Sequence, residues 1–517
     1  MEALQTLSWS DTWYLAPELV LSGFAILLVI LDLLLPKRIN RNVIGWLTLV
    51  GLLVSATFVV LLMLSLGDGT DPADSTPEFY SLLGGSYRID DFGNLLKLVF
   101  LGASFFIVFS SLGTVRDTDV PVKAELYYLV LPAALGAMVM SSSGDLITLF
   151  VGLELLSITT YILVATRKRN RLSSEAAFKY VVMGGVASAF ILYGMSFLYG
   201  LTGGTNFAFI AQGLGSAIEN FEALLYICFF LMIAGFAVKL ALAPFHVWAA
   251  DVYQGAPTPV TAFLAVVAKG AAFAMLYRIF MNSAFLTPAD GSFLQKDVFI
   301  ALSVLAAAAM IVGTVGALRQ KNVKRLLALS GVANAGILLT PLAINLTEMH
   351  ASLFSEFIYF LIAYSFMNIG AFSVLTILTR DSGNESISGF AGLYHRAPWT
   401  AVAMTILLCS LAGLPVTGGF MGKLLILFGT FQTHTYWLGA VILVTTVISY
   451  AVYFSFIRQM FMRSGTVDAK LKMSVPATIT IWVCTIVTLV LGFMPVPLLE
   501  GIDHIFSIPA DLLVIQG

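Results

Sequence analysis

Charge is scarce in this chain. Of its 517 residues only 11% are Asp, Glu, Lys or Arg, and 59% are hydrophobic. Soluble domains carry about 25% charged residues, so a soluble globular protein is excluded. With a net charge of −2 and 27 Lys and Arg spread along the whole length, no basic, aromatic-interleaved groove for nucleic acid assembles. Alternation of apolar and polar residues is also missing. That excludes an outer-membrane barrel, whose strands alternate. Cysteine is limited to Cys228, Cys409 and Cys484, all inside apolar runs and without metal spacing, so neither a disulfide framework nor an iron–sulfur site is expected. There is no glycine-rich phosphate loop after a strand pattern and no HExxH. The five histidines are scattered. No cofactor is therefore expected in this chain, and its chemistry falls to protons, ions or small solutes. The N-terminal MEALQTLSWSDTW has no basic stretch or small-residue cleavage site and reads as mature sequence entering a first span.

What the sequence does have is apolar runs of bilayer length, about 20 residues each. Fourteen spans are expected: 15–35, 44–66, 92–112, 125–142, 145–166, 176–200, 223–248, 257–281, 298–318, 323–344, 351–378, 399–429, 436–462 and 474–497. Polar stretches at 67–91, 202–222, 282–297 and 379–398 are the longest interruptions. With the N-terminus outside, 19 of the 27 Lys and Arg fall in inside loops. These include Lys37, Arg38, Arg41, the 167–171 cluster, Arg319, Lys321, Lys324, Arg325, Lys470 and Lys472. Only Arg88 and Lys296 fall in outside loops. The positive-inside rule then places both termini outside. The fold class expected is an all-α polytopic membrane protein.

Six basic residues remain within spans. A charge at mid-bilayer costs at least about 2.5–3.5 kcal/mol, so each needs a partner, water or a function. Lys97 and Arg278 lie near span ends and are expected to snorkel. Glu18 and Asp32 lie near the ends of the first span and suit interfacial roles. Lys179 follows Glu175 by four residues, which fits either a local ion pair or a functional site. Glu154 lies nine residues from Asp145 and thirteen from Arg167, about 14 and 20 Å along a helix. Lys239 precedes Pro244 by five residues and Lys423 follows Pro415 by eight, while Lys269 is deep in its own span. Three lysines against one glutamate do not balance as static pairs. Charged groups in low dielectric move toward their neutral forms, so these residues are candidates for proton transfer. His246, two residues past Pro244, is a candidate relay between Lys239 and Lys269, or a group that satisfies carbonyls freed at the break. Glu356, early in the eleventh span, is a further candidate.

Proline inside a helix removes a backbone bond and clashes with the preceding turn. Breaks are therefore expected near Pro244 and in the LPVTGG run at 414–419, in the seventh and twelfth spans. Irregular backbone at membrane depth survives only against protein or a water-filled cavity, and broken helices carrying a charge are a transporter signature. Two breaks five spans apart suggest two five-span units, spans 4–8 and 9–13, the second inverted. The corresponding divisions are an N-terminal three-helix segment 1–124, a first unit 125–281, a second unit 298–462, and a C-terminal helix and tail 463–517.

The runs GDLITLFVGLELLSITTYILVA (144–165), EAAFKYVVMGGVASAFILYGMSFLYGLTGG (175–204), AGFAVKLALAPFHVWAADVYQGAPTPVTAFLAVVAKGAAF (234–273), RQKNVKRLLALSGVANAG (319–336) and LAGLPVTGGFMGKLLIL (411–427) carry a resemblance. The chain resembles the antiporter-like membrane subunits of NADH–quinone oxidoreductase (respiratory complex I), and the 175–204 run points to the N-subunit branch. The resemblance implies proton pumping without a redox centre in this chain. NADH, FMN, iron–sulfur clusters and quinone would belong to other subunits of the complex, and the partners would be further membrane-arm subunits. It implies proton-transfer roles for Glu154, Lys239, Lys269 and Lys423, with Lys179 a further family lysine. Family members commonly have a histidine in the tenth span where this chain has Asn334, so a proton route there needs water or another group. The alternatives are a subunit of a multi-subunit cation/proton antiporter or of a membrane-bound hydrogenase, and, in a different class, a non-conducting structural subunit.

Overall fold

The computed structural model describes residues 11–36, 38–67, 78–116, 118–286, 293–344, 352–464, 471, 473–508, 511 and 513. Lys37, Lys470, Lys472 and the start of the N-terminal run lie outside the described residues. The helices are α1 (Ala16–Leu34), α2 (Asn42–Met63), α3 (Asp91–Ser111), α4 (Lys123–Ser141), α5 (Leu146–Val164) and α6 (Arg171–Thr202). Next come α7 (Phe207–Lys239), α8 (Val247–Gly255), α9 (Thr258–Leu286), α10 (Leu294–Ala317), α11 (Val323–Ala343) and α12 (Leu353–Ser382). The chain continues through α13 (Pro398–Ala412), α14 (Gly418–Gln432), α15 (Tyr436–Met462), α16 (Val475–Phe493) and α17 (Val496–Ile505). Thirteen described helices are long and apolar enough to cross a membrane. The remaining expected crossing, the twelfth, is divided between α13 and α14. The seventh is divided between α7 and α8.

Polar side chains placed just before the apolar runs start the helices, because the first backbone N–H groups of a helix lack internal partners. Asp90 accepts from the Gly93 N–H at 2.8 Å, Asp145 from Ile147 at 2.7 Å, Asn170 from Leu172 at 2.9 Å and Asn206 from Ala208 at 2.9 Å. Asn206 explains one departure from the expected spans. The interruption expected at 202–222 shrinks to 203–206: α7 starts at Phe207 and bends at Phe221, whose backbone is non-helical.

Burial sorts the crossings. The apolar windows of α9 and α11 are 94% buried and that of α12 is 89%, against 22% for α1 and 28% for α15. The first three therefore form the axis, and the last two lie at the periphery. Helices α8 and α9 bring the seventh and eighth crossings against α11 and α12 respectively.

The all-α reading needs one addition. A short antiparallel hairpin, β1 (Tyr80–Leu82) with β2 (Tyr87–Ile89), occupies part of the stretch read as a loop. It has a structural use. Tyr87 donates to Glu18 Oε1 at 2.6 Å and accepts from Lys97 Nζ at 3.0 Å, while Lys97 also pairs with Glu18 at 2.9 Å.

Lys97 and Arg278 do not snorkel, since both side chains are fully buried. Arg278 pairs with Asp90 at 2.6 Å, donates twice to the Ser141 carbonyl and once to the Asp511 carbonyl, and lies over the Phe92 ring. Five guanidinium donors in a fixed fork suit such a many-acceptor pocket. With acceptors this close, neither side chain has to reach for the interface. Asp32, by contrast, meets Arg41 at 3.0 Å near a helix end, as an interfacial residue does.

Candidate functional site

The two breaks differ in how they satisfy their freed carbonyls. After α7, the Trp248 indole donates to the Val238 carbonyl at 3.0 Å, and the Leu242 N–H to Ala237 at 2.8 Å. The ammonium of Lys239 is thereby left for a side chain, and it donates to Ser157 Oγ at 2.8 Å. Between α13 and α14 the lysine itself does this work. Lys423 Nζ donates to the Leu411 carbonyl at 2.8 Å and to Ala412 at 3.3 Å. A glycine is required here: a Cβ on Gly419 would lie 2.0 Å from the Ser410 carbonyl oxygen.

Glu154 is on α5, three residues before Ser157 and so on the same face. The sequence suggested a direct Glu154–Lys239 pair. Among the described residues there is no ion pair between them within 4.0 Å, because the ammonium has turned to Ser157 one helical turn away. The Oε1 atom of Glu154 is buried and has no hydrogen-bond partner among the described residues. Such a carboxylate oxygen, aimed into protein and unpaired, is costly unless water or a moving cation reaches it.

Lys269 is 4% exposed and follows a π-turn at 264–268. A π-turn widens the helix and is common at functional sites. The ammonium donates to the Gly331 carbonyl on α11 at 2.8 Å. Beside the neighbouring Ser330 a small cavity of about 20 Å³, room for about one water, extends to the twelfth crossing. Ser330, Asn334, Tyr453, Thr445, Ser449 and Lys423 are among its lining residues. Lys423 lines this cavity directly, whereas Lys269 approaches it only through the Gly331 carbonyl, next to Ser330. Asn334, in that lining, donates to the Ser330 carbonyl at 2.9 Å and to Ser330 Oγ at 3.3 Å.

His246 stands apart from this line in its hydrogen bonding. It is half-buried at the break, flanked by exposed Phe245 and Val247, and no described hydrogen bond connects it to Lys239 or Lys269. Lys179 is half-buried at the other end of α6. It pairs with Glu175 and with Asp251, both at 2.6 Å, and Asp251 pairs with Arg325 at 2.5 Å. The local ion pair read from the EAAFKY spacing is present, but it is one part of a network tying α8 to α6 and α11. Glu356 is buried in the first turn of α12.

Sequence reasoning missed Ser157, Ser330 and Tyr453. A lone hydroxyl in an apolar helix usually bonds back to its own helix, and its partner is set by packing alone. It also read Lys324 as a loop charge. In the fold Lys324 is buried, donating to the Ala256 carbonyl at 2.9 Å and to Glu385 at 2.7 Å.

Comparison with known proteins agrees with this architecture. Residues 143–449 match the family described as NADH:quinone oxidoreductase/Mrp antiporter, TM. NADH-quinone oxidoreductase subunit N of Paenibacillus sp. (strain JDR-2) is 56% identical over 514 residues, covering 98% of this chain and 99% of the relative. The protein of that name from Brevibacillus brevis is 45% identical, covering 94% and 93%. A chain in the structure of respiratory complex I from Thermus thermophilus with bound aureothin has a TM-score of 0.75 at 29% identity, covering 94% and 98%. A chain of the archaeal membrane-bound sulfane sulfur reductase reaches 0.84 at 24% identity, covering 97% and 100%, and shows a shared fold. With more than half its length matched and full-length relatives this similar, the chain belongs to the NADH:quinone oxidoreductase/Mrp antiporter family of membrane subunits, in the branch of subunit N.

Proposed function

We propose that this chain is a proton-translocating membrane-arm subunit of an NADH–quinone oxidoreductase in a bacterial plasma membrane. The observation that carries the reading is the series of lysines at depth: Lys239 beside one helix break, Lys269 in the buried axis, and Lys423 beside the second break, lining a cavity that Ser330, next to the carbonyl holding Lys269, also lines. Lysines held this way are expensive in a membrane and do not serve as static pairs. A proton taken up by way of Lys179 and its acidic neighbours reaches Lys239. It passes through water, directly or by way of His246, to Lys269, crosses to Lys423 and leaves on the outside. Glu154 acts as the counter-charge that holds or releases the proton on Lys239. The skew of positive charge supports an orientation with both termini outside.

Crossings 4–8, from α4 to α9, and 9–13, from α10 to α15, form two inverted units. Each has a split fourth crossing with a lysine at the split, which supports the pairing. The boundaries are those expected from sequence: 125–281 and 298–462, flanked by 1–124 and 463–517. NADH, flavin, iron–sulfur clusters and quinone are handled by other subunits.

Isolation in mild detergent tests the assignment. The chain should co-purify with flavin- and iron–sulfur-containing subunits and with further antiporter-like subunits, and the liposome-reconstituted assembly should move protons when NADH is oxidised. Recovery with a cation/proton antiporter set lacking flavin and iron–sulfur protein would overturn it.

A further inference from the structure

Between Lys269 and Lys423 the structure contains a hydroxyl pair. Ser330 Oγ on α11 and the Tyr453 hydroxyl on α15 share a short hydrogen bond, and both side chains are buried at 5% and 4% exposure. Ser330 directly precedes Gly331, whose carbonyl accepts the Lys269 ammonium. On the other side, Ser330 and Tyr453 line the cavity that Lys423 also lines. Asn334 donates to Ser330 Oγ and so leaves that oxygen's own proton free to point at Tyr453. A fourth group completes the geometry. The Tyr364 hydroxyl is buried without a hydrogen-bond partner among the described residues. It and Lys269 Nζ are each 3.1 Å from the point where a Cβ on Gly331 would stand. Glycine at 331 therefore leaves room for the ammonium and this hydroxyl to share one spot beside the helix.

We propose that Ser330 and Tyr453 carry the proton from Lys269 to Lys423, with Tyr364 receiving it from the ammonium when Lys269 leaves the Gly331 carbonyl. This rests on the proton-translocating reading above. The balance is simple. Protonated Lys269 gives up one proton. Each hydroxyl takes a proton on a lone pair and releases its own forward. Cavity water bridges the last gap, and Lys423 ends as the ammonium. No hydroxyl changes its net protonation. Other polar groups facing the cavity are less suited. The Thr445 hydroxyl is bonded back to the Val441 carbonyl at 2.7 Å, and Ser449 donates to the Thr446 carbonyl at 2.6 Å. The Asn334 amide cannot accept one proton and release another without becoming the imidic acid, so it orients Ser330 rather than passing the proton.

The test uses the intact complex in liposomes and reads NADH-driven proton uptake per assembled complex. Ser330→Ala and Tyr453→Phe should each slow uptake by about tenfold or more, less than the about 10²-fold minimum for a positioned acid–base group because water partly substitutes. The double variant should be no slower than the slower single one, since groups acting in series are not additive. Ser330→Thr, which keeps the hydroxyl, should recover most of the rate. Ser455→Ala, two residues along α15 and outside the cavity, serves as a packing control. Should Tyr453→Phe fail to assemble, Ser330→Ala breaks the same link from the other side and decides the matter. Near wild-type uptake in an assembled hydroxyl variant, or lost thermal stability with uptake intact, would mean that the bond only pins α15 to α11 and would overturn the proposal. Lys423→Met is run in parallel. If it stops uptake while the hydroxyl variants do not, this relay alone is wrong. If it also leaves uptake unchanged, the proton-translocating reading itself fails.

Discussion

An assembled complex carrying Lys239→Ala should take up protons on the order of 10²-fold more slowly than the wild type, with the electron transfer coupled to it slowed in step. That is the lower end of what a positioned acid–base group contributes. The reasoning starts from geometry. Lys239 ends α7 at the break, its only described hydrogen bond is to Ser157 Oγ, and the unpaired oxygen of Glu154 lies one turn back on the same helix. The ammonium thus has two alternative partners within one turn of α5, a neutral hydroxyl and a carboxylate. At about 4 Å and an effective dielectric near 20, attraction to a carboxylate is worth about 4 kcal/mol. Moving between the two partners therefore changes how firmly the lysine holds its proton. Glu154→Gln removes the charged partner while keeping the shape, and should slow uptake while leaving assembly intact. Lys239→Arg should not restore the rate, because guanidinium does not deprotonate in proteins. Wild-type uptake by an assembled Lys239→Ala complex would remove this lysine from the obligatory path.

The largest effect on stability should come from the opposite kind of residue. Arg278 is a buried charge that does not move. Replacing it with alanine leaves Asp90, which has 0% side-chain exposure, with Arg88 at 3.0 Å as its remaining cation, and leaves the Ser141 and Asp511 carbonyls short of donors. Breaking a buried pair from one side costs about 3–5 kcal/mol, so Arg278→Ala should lose most of its folded, assembled subunit. Arg278→Lys keeps the charge but not the fork, and should fall between the two. Thermal denaturation of the purified complex, followed by subunit retention, reads both.

The same cluster should respond to pH. Burial, and then the nearby Asp90 charge, push the Asp511 carboxyl from 3.8 up to about 7. A carboxyl raised in the folded state favours the protonated fold. Its contribution is therefore full below about pH 4, declines as the pH rises, and is gone above about 7. Asp511→Asn should flatten that part of the stability profile.

The contrast between Lys239 and Arg278 also marks how far the sequence could be read. Span count, the two breaks and the depth of Lys269 and Lys423 follow from hydropathy, proline and spacing, all of which are local. Which buried cation is a fixed strut and which is a carrier is not local. Arg278 and Lys97 looked like interface residues because they stand near span ends. In the fold they meet Asp90 and Glu18, which are 188 and 79 positions away in the chain. The hairpin that brings Tyr87 to Glu18 is only three residues per strand, too short for an alternation pattern to register. Ser157, Ser330 and Tyr453 carried no signal of their own. Their importance comes from which lysine or cavity lies next to them. Lys324 was hidden differently, inside a run of basic residues whose common explanation was orientation.

The most direct test of the account is the initial rate of NADH-driven proton uptake by liposomes containing the complex with Lys269→Met, normalised to the amount of this subunit assembled. Methionine keeps the length and apolar stem of the lysine at a position 4% exposed, and removes only the group that holds a proton. The expected result is a complex that assembles normally and takes up protons on the order of 10²-fold more slowly. Wild-type uptake at full subunit content would contradict the claim that the buried lysine series carries the proton.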